Sequence, residues 1–206
     1  AAGGADASLL DSYEAERIPI ARRLLNTTDR AFRLVVSDSP IAGVMRTKIV
    51  ARIAARAMRR EAIQKFAFRV VSQTGIHYRE GPLSLATEEP PHDAPHPGDR
   101  FPWLKVAFTA GGAVEDMFEK LDDTRFNLLV IGQPPPSEAL PLGESLRVHA
   151  ISADGANAGV LAAARIAAPS FYLLRPDGHV GLCGGRVDVA AIRRYVTERL
   201  RIGETH

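Results

Sequence analysis

One cysteine, Cys183, is the only thiol in this 206-residue chain. An internal disulfide, a cysteine-built zinc cluster and a Cys-x-x-Cys redox pair are therefore excluded. Such sparing use of cysteine fits a reducing compartment, and the expected location is the cytoplasm. Aromatic residues make up 6%, with a single Trp, which leaves little to stack on unpaired bases. Neither sign of charge dominates, since 26 Lys and Arg stand against 24 Asp and Glu. A field strong enough to gather nucleic acid is missing. No apolar run reaches the roughly 18–20 residues that span a bilayer. Neither nucleic acid nor membrane is an expected partner. Phosphate-cradling and nucleophile motifs are lacking too: no G-x-G-x-x-G follows a strand, and G-x-x-x-x-G-K-[ST] and G-x-S-x-G do not occur. The opening residues, AAGGADASLL, have no initiator Met and do not resemble a signal peptide. They read as a cut end, and the chain is expected to be a fragment or a processed product.

What is present is enough for a soluble core, with 46% hydrophobic and 24% charged residues. The first part is helical. ASLLDSYEAER has no β-branched residue and sets Leu9, Leu10 and Tyr13 at helical spacing, with Asp6 or Ser8 placed to cap it. Pro19 removes an amide donor, so a break or kink is expected there, with a new helix starting at Pro19. That helix carries Ile20, Leu24, Leu25, Ala31 and Leu34 on a broad apolar stripe, and SDSP at 37–40 stops it. A further helical stretch, 41–73, has Ile49, Ile53, Ala57, Met58, Ala62 and Phe66 on its apolar side. Lys48, Arg52, Arg56 and Arg60 line up four apart on another side. With no aromatics between them, a solvated or partner-covered face is the preferred reading over a nucleic-acid or membrane surface. The apolar stripes are broader than two helices can bury on each other, so part of them is expected to stay uncovered.

Residues 74–104 are dense in Pro and Gly and form a connector. After them the period changes. A short helix is expected over 113–123, and strands over FNLLVIG (126–132) and SLRVHAIS (145–152). A helix follows over 157–166. Then comes a hairpin of SFYLLR and HVGLC across Pro176-Asp177-Gly178. The last helix turns Val189, Ile192, Val196 and Leu200 inward. A βαβαββα order needs one more helix after the first strand, for which PSEALPLG is the only candidate. The fold class is α/β (α+β overall), a helical N-terminal segment followed by a mixed β-sheet domain. The expected division is 1–85 helical, 86–96 linker and 97–206 sheet domain.

Candidate chemistry is thin. A proline before a strand hairpin and a closing helix resembles the end of thioredoxin-like domains, with Pro169 at the cis-proline position. The redox motif of such a domain sits at the start of the helix after its first strand, where a helix N-terminus lowers a thiol's pKa. That place reads Gln133, Pro134, Pro135 and Pro136, so redox chemistry is absent. Cys183 is expected to be a buried small hydrophobe. His92 and His96 are four apart, but the prolines around them oppose the helix that metal binding would need. Glu115, Asp116, Glu119, Asp122 and Asp123 read as the solvated face of one short helix. Gly111-Gly112 lacks a third glycine. No catalytic, cofactor-binding or metal residue is assigned.

LLDSYEAERIPIARRLLNTTDRAF, SQTGIHYREGPLS, PGDRFPWL and FYLLRPDGHVGLCGG, in this order, resemble the C-terminal portion of class A FAD-dependent aromatic hydroxylases, the phenol and polyketide hydroxylase-like monooxygenases. Leu9–Arg17 with Pro19 matches that family's LLDSYEAERxP signature. Leu182-Cys183 departs from the Trp-Arg often found there. The resemblance implies a thioredoxin-like C-terminal domain without redox cysteines. It also implies a role structural for the flavin domain or for subunit contacts, and non-catalytic on its own. FAD and NAD(P)H are implied for the intact parent, with none bound by this chain alone. The implied partner is the remainder of the flavoprotein, with homo-oligomerisation possible. Two other readings stay open: a standalone redox-inactive thioredoxin-like interaction module, and a thiol enzyme using Cys183.

Overall fold

In a computed structural model of the chain, the described residues are 9–36, 52, 56, 59–61, 63–64, 75–109 and 111–202. The chain divides into two compact units, Ala1–Glu16 with His77–His206, and Arg17–Ile76.

Helix α1 spans Leu9–Val36 without a break. The expected interruption at Pro19 does not occur. Proline withholds one N–H, which orphans the carbonyl four residues back. That residue, Ala15, is exposed, so the lost bond leaves no carbonyl in a dry core. Leu10, Tyr13, Leu24, Leu25 and Phe32 are all exposed on α1. At 3.6 residues per turn they fall within an arc of about 120°. Of the stripe expected on 20–36, Leu24 and Leu25 are exposed and Ile20 is half-buried, while the side chains of Ala31 and Leu34 lie outside the described residues. In the stretch 41–73, Arg52, Arg56 and Arg60 are exposed. Lys48 and the apolar positions assigned there lie outside the described residues, as do Asp6 and Ser8.

The other unit is built on a five-stranded mixed sheet. Its strands are β1 (Leu85–Ala86), β4 (Phe126–Ile131), β5 (Leu146–Ile151), β6 (Ser170–Leu174) and β7 (Val180–Gly184), in the order β1-β7-β6-β4-β5. The pairs β4–β5 and β1–β7 are parallel, and β6 runs antiparallel to both β4 and β7. A separate two-stranded ribbon joins β2 (Lys105–Ala107) to β3 (Val114–Asp116). Helices α2 (Met117–Lys120), α3 (Ala158–Ala163) and α4 (Val189–Arg194) complete it, and α4 runs on as a π-helical turn, Tyr195–Arg199. The fold class is the mixed α/β arrangement read from the sequence.

Alternation along β4 sends Leu128 and Val130 to one face and Leu129 and Ile131 to the other. The first face packs against Ile192, Tyr195, Val196 and Leu200 of the closing helix. The second packs against Leu161, Ile166, Met117 and Phe101. Both faces are dry, which is why FNLLVI reads as an unbroken apolar run. Each buried Leu or Ile contributes about 1.5–3 kcal/mol. Three of the four residues expected to point inward on the last helix are buried: Ile192, Val196 and Leu200. Val189 is half-buried. The hairpin turns at Gly178, whose φ is +79°, and the Ala168-Pro169 peptide is cis.

Three expectations are corrected. Helix over 113–123 shrinks to one turn, because Lys105–Ala107 draws Val114–Asp116 into strand pairing. Asp116 then caps the turn by accepting from Phe118 N at 3.0 Å. PSEALPLG is not a helix. Pro141 would fall inside it and withhold a donor, and the β4–β5 connection holds only a 3-10 turn at Gly143–Ser145. The sheet unit also starts before residue 97. Leu85 and Ala86 pair with Leu182 and Cys183, and Tyr78 N donates to Gly98 O at 2.8 Å. Gly98 has φ +83°, and a Cβ there would run into the Tyr78 backbone. Among the described residues, no helix is long and apolar enough to cross a membrane.

Candidate functional site

Parallel strands deliver ligand sites at their carboxyl ends. Here that place is the end of β4 and β5, where a shallow cleft of about 660 Å³ is lined by Phe108, Gly132, Gln133, Pro134, Ser152 and Asp154, among others. Gly132 has φ +64°, and a Cβ on it would stand 2.9 Å from Ala168 Cβ and 3.0 Å from Ala153 Cβ. Only glycine fits this turn. Gln133 then folds back into the protein. Its Nε2 donates to Ser170 O at 3.0 Å and to Gly185 O at 2.9 Å. Its Oε1 accepts from Val187 N at 3.1 Å. One amide thus ties the end of β4 to the start of β6 and to the stretch just after β7. Gln133 serves as a staple.

Cys183 lies in the core, 1% exposed. Burial, with the negative charges of Glu89 and Asp99, pushes its thiol up to about 12. A thiol nucleophile needs thiolate at neutral pH, and this one supplies almost none. The histidine pair is also tied up locally. His92 Nδ1 stands 3.0 Å from Asp93 Oδ1, and His96 Nε2 lies 3.2 Å from His92 O. No group of three potential metal ligands occurs among the described residues. The acidic set is not one helix face. Glu115 pairs with Lys120 at 2.6 Å. Asp116 accepts from Trp103 Nε1 at 2.7 Å. Asp122 meets Arg125 at 3.2 Å and accepts from Thr124.

A charged cluster that the sequence reading did not single out lies inside the sheet unit. Arg175 ends β6 and is 6% exposed. Its Nη1 reaches Glu16 Oε1 at 2.8 Å and Oε2 at 3.0 Å. Its Nη2 donates to Asp177 Oδ2 at 2.8 Å, and its guanidinium carbon lies 5.6 Å from the centre of the Tyr78 ring. Burial alone would raise the Asp177 carboxyl. Bonds from His179 and Arg175, with their charge, outweigh it and hold the group well below the usual carboxylate range. The His179 ring packs on Tyr78 at 4.7 Å. Beside the cluster, Tyr195 OH donates to Leu83 O at 2.8 Å. A buried pair of this kind costs about 3–5 kcal/mol to break from one side. Both carboxylates are engaged by one buried guanidinium, which points to an architectural role for the cluster. Its signal in the sequence was indirect: Glu16 belongs to YEAER and Arg175-Pro176-Asp177-Gly178 to the hairpin motif. The structure joins two of the motifs that carry the resemblance.

The fold is thus a mixed sheet with a stapled strand end and a buried ion cluster, and known proteins share it. No protein-family model matches the chain. Its sequence is 25% identical over 195 residues to the 6-methylpretetramide 4-monooxygenase of Streptomyces rimosus, over 89% of this chain and 35% of that protein. CabE, an aromatic hydroxylase from angucycline biosynthesis, superposes with a TM-score of 0.60 at 24% identity, covering 94% of this chain and 36% of CabE. The rebeccamycin biosynthetic enzyme RebC with reduced flavin superposes with a TM-score of 0.59 at 22% identity, covering 96% of this chain and 37% of RebC. The two structural likenesses show the fold. The chain spans about a third of the length of the relatives it matches. The resemblance to aromatic hydroxylases read from the sequence holds, and the partial match is consistent with their C-terminal portion.

The described residues do not fit a flavin dinucleotide. A pyrophosphate needs backbone N–H groups converging where a strand turns into a helix. After β4 this chain offers Pro134–Pro136, which have no N–H to give. Gly111-Gly112 leads from one ribbon strand to the next, and Gly112 N is already bonded to Thr109 O at 2.9 Å.

Proposed function

We propose that the chain is the C-terminal structural part of an FAD- and NAD(P)H-dependent aromatic-ring hydroxylase, non-catalytic by itself. It supports the flavin domain or contacts between subunits. The observation that carries this reading is the match to the S. rimosus monooxygenase over most of this chain but a third of that enzyme. Two structural features support it. The strand order β7-β6-β4-β5, with a cis-proline before β6, favours a thioredoxin-like domain. The staple at Gln133 and the buried Cys183 leave that domain without thiol chemistry. The exposed apolar stripe on α1 is the surface expected to face the remainder of the flavoprotein. For the parent we propose a division into a helical end of the flavin domain (1–85), a linker (86–96) and a C-terminal domain (97–206), with Tyr78 and Leu85–Ala86 already bonded to the sheet unit.

Fluorescence titration tests this directly. FAD added to the purified 206-residue chain should keep its full emission, and the protein should be colourless. The same chain expressed in one polypeptide with its upstream coding sequence should be yellow and oxidise NAD(P)H in the presence of a phenolic substrate. Stoichiometric flavin on the 206-residue chain alone would overturn the proposal.

A further inference from the structure

Residues 10–16 of α1 belong to the sheet unit, yet they are not held there by an apolar face. Leu10 and Tyr13, the two large hydrophobic side chains of the segment, are 74% and 64% exposed. Asp11, Glu14 and Ala15 are exposed and Ser12 is half-buried. Glu16 alone is buried, at 7%, with its carboxylate on Arg175. Close packing does not replace the missing apolar contact. A cavity of about 300 Å³ opens beside this segment, lined by Asp11, Ser12, Ala15, Leu83, Glu198 and Arg199, among others.

The receiving side, by contrast, is closely fitted. Arg175 is fixed by Asp177 on two of its nitrogens, at 2.8 and 3.3 Å. Gly81 gives the Glu16 side chain its room, since a Cβ there would stand 2.6 Å from Glu16 Oε1, 2.9 Å from Glu16 Cγ and 2.9 Å from Tyr78 O. The cation and its seat come from the sheet unit, and the carboxylate comes from the helix.

We propose that Glu16–Arg175 is a polar latch, and that the first turns of α1 detach from the sheet unit as a local opening when its charge is lost. The physical reason is the nature of the attachment. An apolar helix face is released only gradually as contacts are removed. A segment whose one buried side chain is a carboxylate is released by a change at that carboxylate. The exposed residues of the segment make their contacts at a rim where water competes. The sheet keeps both of its cores, because neither includes a residue of 10–16.

Hydrogen exchange on the full 206-residue chain tests the latch. The first four amides of a helix lack intrahelical acceptors, so the probes are the amides of 13–16, set against those of β4 and β6. Glu16→Gln keeps shape and removes charge. It should speed exchange at 13–16 at least tenfold and leave β4 and β6 at least tenfold better protected than 13–16, since a weakened closed state lowers their protection by no more than the same factor. Gly81→Ala, which displaces the carboxylate without touching it chemically, should do the same. Leu10→Ala should leave these amides unchanged. Unaltered exchange at 13–16 in Glu16→Gln overturns the proposal. So does one common protection for 13–16, β4 and β6 in that variant, or a variant that fails to fold, since either makes Glu16 integral to the sheet unit rather than a latch upon it.

Discussion

Replacing Gln133 with Leu tests whether this amide is a structural staple. The change keeps volume and removes three hydrogen bonds, to Ser170 O, Gly185 O and Val187 N. A bond of this kind contributes about 0.5–1.5 kcal/mol, and a buried group left without a partner costs about 1–3 kcal/mol. Gln133 is half-buried, so water recovers part of the loss. The expected destabilisation is about 2–4 kcal/mol, with Tm lowered by about 4–16 °C at roughly 2–4 °C per kcal/mol for a chain of this size. Urea unfolding followed by far-ultraviolet circular dichroism should show a lower midpoint and an unchanged slope. Pro135→Ala, at an exposed neighbour, should stay within about 0.5 kcal/mol. Gln133→Glu adds a second readout. At neutral pH its carboxylate would face the Ser170 and Gly185 carbonyls with no proton to donate, so the variant should be worse than Gln133→Leu. Folding would raise that carboxyl's pKa, and protonation restores one donor. Its deficit should therefore shrink as pH falls through the raised value. If Gln133→Leu unfolds within 0.5 kcal/mol of the parent, the staple is not structural and the reasoning fails.

Two further outcomes follow from Asp177 and Cys183. Asp177 has its folded-state carboxyl lowered, so below about pH 4, the ordinary carboxylate range, the unfolded chain takes up the proton first and stability falls with pH. Asp177→Asn should be less stable than the parent at neutral pH and lose less on acidification. Parallel curves for the two proteins in acid unfolding would show that the Asp177 charge is not what Arg175 depends on. Cys183, with its thiol pushed up to about 12 by burial, should resist an aromatic disulfide reagent in the native chain and react fully in denaturant. Rapid labelling of folded protein at neutral pH would reopen the thiol-enzyme reading.

How much of this was legible in the sequence depended on how locally each feature is determined. Strands β4 and β6 were readable because both of their faces are buried, which leaves long apolar runs. The 176–178 turn was readable because one glycine must take a positive φ, and the closing helix because Ile192, Val196 and Leu200 repeat along one face. What failed was set from elsewhere. Residues 113–116 have helical neighbours, but their state is decided by pairing with Lys105–Ala107. A helix between β4 and β5 was required by the βαβ pattern, yet Pro141 interrupts the one candidate segment and the sheet closes without it. Pro19 does not break α1, and the residue four positions back, Ala15, is exposed. Glu16 was the hardest to see. Its partner is 159 positions away, and an acidic residue among exposed neighbours on a helix reads as solvated unless the partner's position is known.

That last failure bears on what the resemblance means. YEAER and RPDG were recognisable as strings, but neither string contains a reason for its charges. Each lacks the counter-charge that the other supplies. Arg175 without Glu16 is a guanidinium in the interior held by Asp177 alone, and Glu16 without Arg175 is a buried carboxylate with no cation. The hairpin turn that positions Asp177 and the helix that brings in Glu16 are therefore matched to each other. The resemblance to aromatic hydroxylases rests in part on residues that meet in this cluster. The cleft at the strand ends is held by the Gln133 amide and lined by Pro134 and Pro135. What the two strings share is a structural pairing, which is what the proposed supporting role requires of them.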